Sequence, residues 1–266
     1  MEKRLVNVLI PVYKPELGRD DRISLSQTCR ILADYPLTVV HPEGLDVSSI
    51  AAEFPQLSFH SFPRKFFAGV EGYNRFMLSE DFYEAFEEYE YVLICQLDCY
   101  LFKDDLSDWC RKGYDYVGAP WLKRSVYDFP ILKQLIHLYS HFRHKQGKLT
   151  QFDRYGKVGN GGLSLRKVSS HLQVLREQPE EVHLYAEVNN RKHLFNEDTF
   201  WALVPRHFRY PDWQEAILFS YNKYPELSYH KCGGKVPFGC HGWTKPKYRP
   251  FWCAEGEEPR FPSILV

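Results

Sequence analysis

The run Tyr91-Val92-Leu93-Ile94-Cys95 constrains the fold of this chain more than any other segment. Five apolar residues in succession predict a buried strand, since a half-exposed strand would alternate with polar residues. Fully buried strands are typical of parallel sheets. The segment that follows is polar and begins Gln96-Leu97-Asp98. Because ligands of parallel α/β sheets bind beyond the carboxyl ends of the strands, Gln96 and Asp98 are the first candidates for a binding site.

Strand-like and helix-like segments alternate along the first half of the chain. Apolar runs predict strands over residues 5–12, 37–40 and 57–62. Apolar residues at helical spacing predict helices over residues 23–33 and 72–89. This alternation predicts a layered α/β/α domain with a mostly parallel central sheet. In the second half we expect a short strand and rigid loop over residues 116–121 and an amphipathic helix over residues 131–142.

Composition and charge argue against several classes of protein. The 266 residues include 34 basic and 34 acidic ones, so we expect no nucleic-acid partner. No apolar stretch approaches the ~20 residues of a membrane span. The apolar run before Pro11 is predicted to be a first strand rather than a secretion signal. Seven cysteines without a Cys-x-x-Cys pair favour reduced thiols in a cytoplasmic protein over a zinc site.

Residues 122–157 form a basic region. They contain eight Lys or Arg residues against two Asp residues, in a chain whose net charge is zero. The predicted helix within this region has two interpretations. It packs on the sheet with a solvated basic side, or it lies on a membrane surface as a basic amphipathic helix. No Ser/Gly-rich linker interrupts the chain, so we expect a single domain over residues 1–266 with this region as an insertion.

Four short motifs combine residue types that carry chemistry, and each also has a structural interpretation. Asp98 holds a ribose hydroxyl or a metal, or it forms a turn. Gly159-Asn160-Gly161-Gly162 lets the backbone approach a ligand, or it enters a tight hairpin. Glu197-Asp198 supplies a general base, or it caps a helix. His241 contacts a diphosphate or its metal, or it is structural.

The order of these motifs resembles that of glycosyltransferases of the GT-A fold. More narrowly, it resembles a bacterial glycosyltransferase-like family still filed as a domain of unknown function. The matching segments are Tyr73-Asn74-Arg75, Gln96-Leu97-Asp98, residues 114–121, residues 159–166, Asn196-Glu197-Asp198 and Phe238-Gly239-Cys240-His241. The resemblance implies a GT-A-like, Rossmann-like domain that transfers a sugar from a nucleotide-diphosphate sugar to a hydroxyl acceptor, with inversion.

The resemblance also assigns a role to each candidate residue. Asp198 would deprotonate the acceptor, with Glu197 beside it. A divalent metal, Mn²⁺ or Mg²⁺, would be held by Asp98 and His241. Residues 1–121 would form the nucleotide-sugar half and residues 122–266 the acceptor half. The donor would contact strand ends, the start of a helix and the glycine-rich loop, at Pro11, Val12, Tyr13, Asn74, Arg75, Gln96, Asp98, Gly161 and Gly162.

The same resemblance implies a biological setting. The acceptor would be a glycan or a lipid-linked sugar in bacterial surface polysaccharide synthesis. The protein would then be cytoplasmic, with peripheral contact to the inner face of the cell membrane. The basic region, residues 122–157, fits that contact.

One position departs from the GT-A pattern. The usual Asp-X-Asp motif ends in a metal-binding carboxylate, whereas the run here is Asp98-Cys99-Tyr100. Metal dependence is therefore open, because without the second carboxylate the metal would depend on Asp98 and His241 as its protein ligands. In a metal-independent site, cations would contact the diphosphate instead, and the candidates are Arg75, Arg166 and Lys245.

Two other functions stay open at this point. A nucleotidyltransferase would share the layered sheet, but it would carry a Gly-rich basic loop after the first strand, where this chain has Val12-Tyr13-Lys14-Pro15. A non-catalytic carbohydrate-binding protein would account for the 16% aromatic residues. Such a protein would bind free glycans and ignore nucleotides.

Overall fold

The computed structural model describes residues 3–253 and 258–260. The strands are β1 (Arg4–Pro11), β2 (Leu37–Pro42), β3 (Ser58–Phe62), β4 (Tyr89–Cys95), β5 (Cys99–Leu101), β6 (Tyr116–Gly118), β7 (Leu163–Lys167), β8 (Ser220–Tyr221) and β9 (Gly239–His241). The helices are α1 (Arg19–Ile31), α2 (Ser48–Glu53), α3 (Gly69–Met77), α4 (Glu80–Glu84), α5 (Leu106–Arg111), α6 (Pro130–Lys145), α7 (Val168–Glu177), α8 (Pro179–His183), α9 (Glu197–Leu203), α10 (Trp213–Phe219), α11 (Pro225–Lys231) and α12 (Arg249–Trp252).

The central sheet is mostly parallel, as predicted. Within the described residues its strand order is β3-β2-β1-β4-β7-β6. β1 pairs in parallel with β2 and β4, and β2 pairs in parallel with β3. β7 is antiparallel to both of its neighbours, with Leu163 opposite Cys95. This reversal brings the glycine-rich loop before β7, residues 159–162, to the edge of the sheet where β4 ends.

Both faces of the sheet are covered by helices, which explains the uninterrupted apolar run of β4. Val8 and Leu93 pack in a core with residues of α1, α2 and α5. Leu9 and Ile94 point to the other face and pack with residues of α3, α4, α7 and α9. Each of these buried aliphatic side chains contributes about 1.5–3 kcal/mol to folding. The predicted α/β/α layering is confirmed.

The helix predicted over residues 72–89 is two helices, so that prediction is wrong in part. α3 ends at Met77, and α4 begins at Glu80. Ser79 separates them, because its hydroxyl accepts a hydrogen bond from the Phe82 backbone N–H at 3.4 Å and caps the second helix. Residues 89–95 then belong to β4.

A small second sheet lies beside the end of β4. Its order is β5-β9-β8, and Cys99 of β5 is paired with His241 of β9. Tyr100 is buried in a cluster that includes Trp243 and Trp252. The sheet therefore places His241, which lies late in the chain, beside Cys99, the residue that follows Asp98.

α6 confirms the predicted amphipathic helix but not its packing on the sheet. None of its residues is buried. Most of its apolar side chains face solvent, and Ile131, Leu138 and Phe142 are 76%, 64% and 62% exposed. The interpretation of a helix packed against the sheet is therefore wrong. None of the helices in the described part of the chain combines the length and apolar character that a bilayer crossing requires.

Candidate active site

A cleft of about 600 Å³ opens beyond the ends of β1 and β4. This volume is in the range of small-molecule sites. Predicted donor-binding residues from both strand ends line it, namely Pro11, Val12, Tyr13, Gln96 and Asp98. A second group of mostly apolar lining residues comes from the 3-10 turn Arg64–Phe67 and from α3, namely Phe66, Phe67, Gly69, Val70 and Tyr73. The remaining lining residues are Lys14, Glu16, Leu17, Asp21, Leu97 and Thr244.

Tyr13 gives this cleft a flat surface at its mouth. Its side chain is 62% exposed. The Lys14 ammonium lies 5.6 Å from the centroid of its ring. An exposed ring beside a cation can stack on a flat base while the cation attracts negative charge.

Asp98 lies in a charged cluster with His241 and Lys245 at the edge of the cleft. His241 Nε2 is 3.1 Å from Asp98 Oδ1, and Lys245 Nζ is 4.0 Å from Asp98 Oδ2. Burial acts to raise the pKa of the Asp98 carboxyl. The charge and hydrogen bond of His241 and the charge of Lys245 outweigh burial, so that the pKa is lowered overall. The carboxylate is therefore ionised at neutral pH.

Asp98 and His241 are the two side chains of this cluster that could ligate a divalent metal. Among residues 3–253 and 258–260, no three His, Cys, Asp or Glu side chains converge into a metal site. Tyr100, at the position of the second GT-A carboxylate, is buried and packs on Trp243. The imidazole Nδ1 of His241 is buried with no hydrogen-bond partner in the described part of the chain. One oxygen and one nitrogen ligand, completed by phosphate oxygens and water, suit Mn²⁺ better than Mg²⁺, which prefers oxygen.

The glycine-rich loop joins this cluster to the Glu197-Asp198 motif. A Cβ atom on Gly161 would overlap the carboxylate of Glu197, and a Cβ atom on Gly162 would overlap the imidazole of His241. The Gly162 carbonyl accepts a hydrogen bond from the Gln96 backbone N–H at 2.9 Å. Both glycines are therefore required by close packing between the two parts of the site.

Glu197 is buried and belongs to a hydrogen-bonded network beneath the site. Its carboxylate accepts a hydrogen bond from Arg166 Nη2 at 3.0 Å, and Arg166 also donates to the Tyr83 hydroxyl at 3.0 Å. Burial raises the pKa of the Glu197 carboxyl to about 7, because Arg166 offsets only part of the desolvation cost. Arg166 is fully buried, so it is unavailable to a diphosphate in the cleft.

Asp198 is more accessible than Glu197 and faces positive charge. It is partly exposed in the first turn of α9, directly after Glu197. Burial lowers the pKa of the Arg154 guanidinium and of the Lys223 ammonium, and the charge of the Asp198 carboxylate offsets part of that lowering. A partly exposed carboxylate at a helix start is accessible to a bound hydroxyl group.

Asn74 and Arg75 do not line the cleft. Asn74 is buried, and its side-chain oxygen accepts a hydrogen bond from the Glu197 backbone N–H at 3.1 Å. Its amide donates to the Asn190 carbonyl at 3.3 Å. Arg75 forms an ion pair with Glu187 at 3.0 Å. Both predicted donor contacts are thus used within the protein, and Asn74 positions the start of α9.

Two parts of the site are missed by sequence reasoning. Phe66 and Phe67 line the cleft, but two Phe residues carry no signal in a chain with 16% aromatic residues. Arg154 and Lys223 lie near Asp198 and are distant from it in sequence. The basic excess of residues 122–157 was the one available signal, and it does not single out Arg154.

Solved structures of known proteins share this fold. Mouse xyloside xylosyltransferase 1 in its apo form matches with a TM-score of 0.53 over 89% of this chain and 97% of that one, at 17% identity. The galactosyltransferase LgtC, in complex with donor and acceptor sugar analogues, matches with a TM-score of 0.53 over 88% and 86%, at 11% identity. The bifunctional WbbM in its apo form matches with a TM-score of 0.52 over 96% and 46%, at 13% identity. The fold is therefore that of GT-A glycosyltransferases.

Comparison of the sequence with known proteins gives one family match. A search of curated protein sequences finds no match. A family profile described as "Protein of unknown function (DUF5672)" matches residues 56–241, which is more than half of the chain. Its matched segment runs from before α3 to the end of β9 and includes Asp98, Asp198 and His241. The chain belongs to the DUF5672 family and has a GT-A fold.

Proposed function

We propose that the protein is a glycosyltransferase that takes its sugar from a nucleotide-diphosphate donor. The observation that carries this proposal is the cluster of Asp98, His241 and Lys245 at the edge of the cleft beyond β1 and β4. A nucleotide in the cleft would have its base beside Tyr13 and its diphosphate toward the cluster. The GT-A fold supports the same assignment by analogy.

On the donor side, the chain's own residues would bind the diphosphate and stabilise it as it leaves. The Lys245 side chain is half exposed, so its ammonium can donate to phosphate oxygens. Asp98 would accept a hydrogen bond from the ribose or ligate a metal together with His241. A divalent metal bound there would neutralise charge that develops on the leaving diphosphate. Gln96 would contribute at the same strand end.

On the acceptor side, Asp198 would accept the proton of the attacking hydroxyl. A single base that activates the acceptor suits direct displacement, and we therefore propose inversion at the anomeric carbon. Glu197 is buried and bonded to Arg166, so its role would be to position Asp198 and the glycine-rich loop. Asn74 would support the same geometry through its bond to the Glu197 N–H.

The acceptor would be a glycan or a lipid-linked sugar, with α6 on the membrane surface. The helix exposes apolar side chains, and its last turn carries Arg143, His144 and Lys145. An exposed apolar face with flanking basic residues binds anionic headgroups and buries its apolar side chains in the interface. This arrangement suits a cytoplasmic protein with peripheral membrane contact and a role in bacterial surface polysaccharide synthesis.

Nucleotide binding tests the proposal directly. We expect UDP or GDP to raise the melting temperature of the protein, and we expect Mn²⁺ to increase that shift. Lys245→Gln should reduce the nucleotide affinity about ten-fold, since it removes a charge-assisted contact. Lys235→Gln is the matched control, because Lys235 is exposed and belongs neither to the cleft nor to the Asp98 cluster. Binding of free glycans without any nucleotide response would indicate a carbohydrate-binding protein, and binding of nucleoside triphosphates alone would indicate a nucleotidyltransferase.

A further inference from the structure

A second pocket lies next to the glycine-rich loop, on the side of the basic region. Its volume is about 150 Å³. At about 30 Å³ for each water molecule, this is the space of about five waters, enough for one small group or part of one sugar ring. Trp121, Tyr127, Tyr155 and Tyr224 contribute aromatic rings to its lining.

Arg154 and Lys223 give the pocket positive charge that is not held in a close ion pair within residues 3–253 and 258–260. Arg154 is buried at 8% exposure, and its Nε has no hydrogen-bond partner among the described residues. Its guanidinium lies over the Trp121 ring, 5.2 Å from the centroid. Neither Arg154 nor Lys223 forms an ion pair within the part of the chain that the structure describes. A buried guanidinium with an unused donor is costly unless a ligand supplies an acceptor.

The pocket adjoins the proposed acceptor base. The charge of Asp198 acts on both Arg154 and Lys223, and the charge of Lys245 also acts on Lys223. Trp121 packs directly on Gly159, at the start of the glycine-rich loop. A group bound in the pocket would therefore lie near the proposed acceptor base.

Tyr224 strengthens the view that this pocket is built for a ligand. Its backbone is in the left-handed region, with φ of 58°, which is costly for a residue other than glycine. Lys247 and Arg124 lie 4.6 Å and 5.8 Å from the centroid of its ring. The conformation places an aromatic side chain in the pocket wall between cations.

We infer that this pocket binds an anionic group, a phosphate or a carboxylate, carried by the acceptor. Arg154 and Lys223 would hold the anion, and Trp121 would contact the sugar ring that carries it. That the anion belongs to the acceptor rests on the proposed function. The binding of a sugar anion by Arg154 and Lys223 stands without it.

Calorimetric titration of the whole protein tests the inference with three probes: glucose 6-phosphate, glucuronate and glucose. We expect at least one of the two anionic sugars to bind about ten-fold or more tightly than glucose. Tighter binding of glucose 6-phosphate identifies a phosphate site, and tighter binding of glucuronate identifies a carboxylate site. Equal binding of all three, or no binding by either anionic sugar, overturns the inference.

Variants locate the binding. Arg154→Gln and Lys223→Gln should each weaken the anionic sugar about ten-fold and leave glucose unchanged, whereas the exposed Lys157→Gln should have less than a two-fold effect. Should Arg154→Gln fail to fold, Lys223→Gln decides, since Lys223 is exposed. UDP and GDP are titrated into the same variants. Loss of anion binding with normal nucleotide binding supports the assignment. An absence of nucleotide binding counts against the glycosyltransferase proposal alone.

Discussion

The two sides of the proposed site are built from different kinds of structure. On the donor side, Pro11 ends one central strand and Gln96 follows another, and the side chains of both strands are buried on both faces. On the acceptor side, Arg154 belongs to a short 3-10 turn and Lys223 to a loop, and α6 beyond them has no buried residue. A rigid sheet edge suits a nucleotide. The loop-built side can differ without cost to the core, and we therefore expect acceptor preference to be set there.

Asp198→Asn should separate the two sides most clearly. We expect sugar transfer to fall about 10²- to 10⁴-fold, because the general base is lost. Nucleotide affinity should stay within two-fold, since the donor cleft is unchanged. Steady-state release of nucleoside diphosphate and calorimetric nucleotide binding measure the two quantities. Asp108→Asn, which alters an exposed carboxylate on α5, is the control. Unchanged turnover would remove Asp198 from the mechanism.

Arg166→Ala should show how much the buried contact between β7 and α9, which joins the two sides, contributes to the free energy of unfolding. Arg166 lies in β7 and holds Glu197 of α9, with both side chains buried. Leaving the Glu197 carboxylate without its partner should lower the free energy of unfolding by about 3–5 kcal/mol. Arg176→Ala removes an exposed arginine paired with Glu80 and should cost less than about 1 kcal/mol. Urea denaturation compares them, and equal losses would contradict a structural junction at Arg166.

Acid should lower the free energy of unfolding of the wild type by protonating Asp98, and a variant with a neutral side chain at this position should lack that loss. The pKa of Asp98 is lowered in the folded protein from its ordinary value of 3.8. Its contribution to stability is therefore present above that value and is lost as the pH falls through the folded pKa. Asp98→Asn should flatten this part of the acid dependence of unfolding, measured by urea denaturation between pH 6 and pH 3. An unchanged slope would mean that the cluster does not stabilise the folded state.

The exposed helix should have the smallest effect on stability. Replacing Leu135, Leu138 and Phe142 by serine should change the free energy of unfolding by less than about 1 kcal/mol, because all three face solvent. The same variant should lose co-sedimentation with vesicles that contain anionic lipid. Replacing the exposed Val188 by serine is the control outside α6. Equal vesicle binding by wild type and the triple variant would exclude α6 as the membrane contact.

The donor side was predictable from the sequence because local patterns determine it. The apolar run of β4 and the polar residues after it locate the sheet edge, and the cleft lies there. The pairing of Asp98 with His241 came only from the resemblance, since no local pattern places β9 beside β5. The break between α3 and α4 was missed, because the apolar spacing continues across Ser79 while its hydroxyl caps a new helix.

Two donor residues and the acceptor side were harder to predict for physical reasons. Asn74 and Arg75 stand next to a residue that lines the cleft, yet successive side chains of a helix point in different directions, and these two reach α9 and Glu187 instead. Amphipathic spacing in α6 indicates an apolar stripe but not what covers it. Arg154 is one of several basic residues in its region, and only the folded structure shows that it alone is buried in a pocket.

The missing side chains of Gly161 and Gly162 set a fixed spacing within the site. The space that a methyl group would fill on each is taken by Glu197 on one side and by His241 on the other. Two adjacent peptide units therefore separate Glu197, which precedes the proposed acceptor base, from His241 of the proposed diphosphate cluster. A larger residue at either position would change the distance over which the sugar has to pass. In the proposed mechanism the backbone would thus set the reach of the transfer, and side chains farther out would select the acceptor.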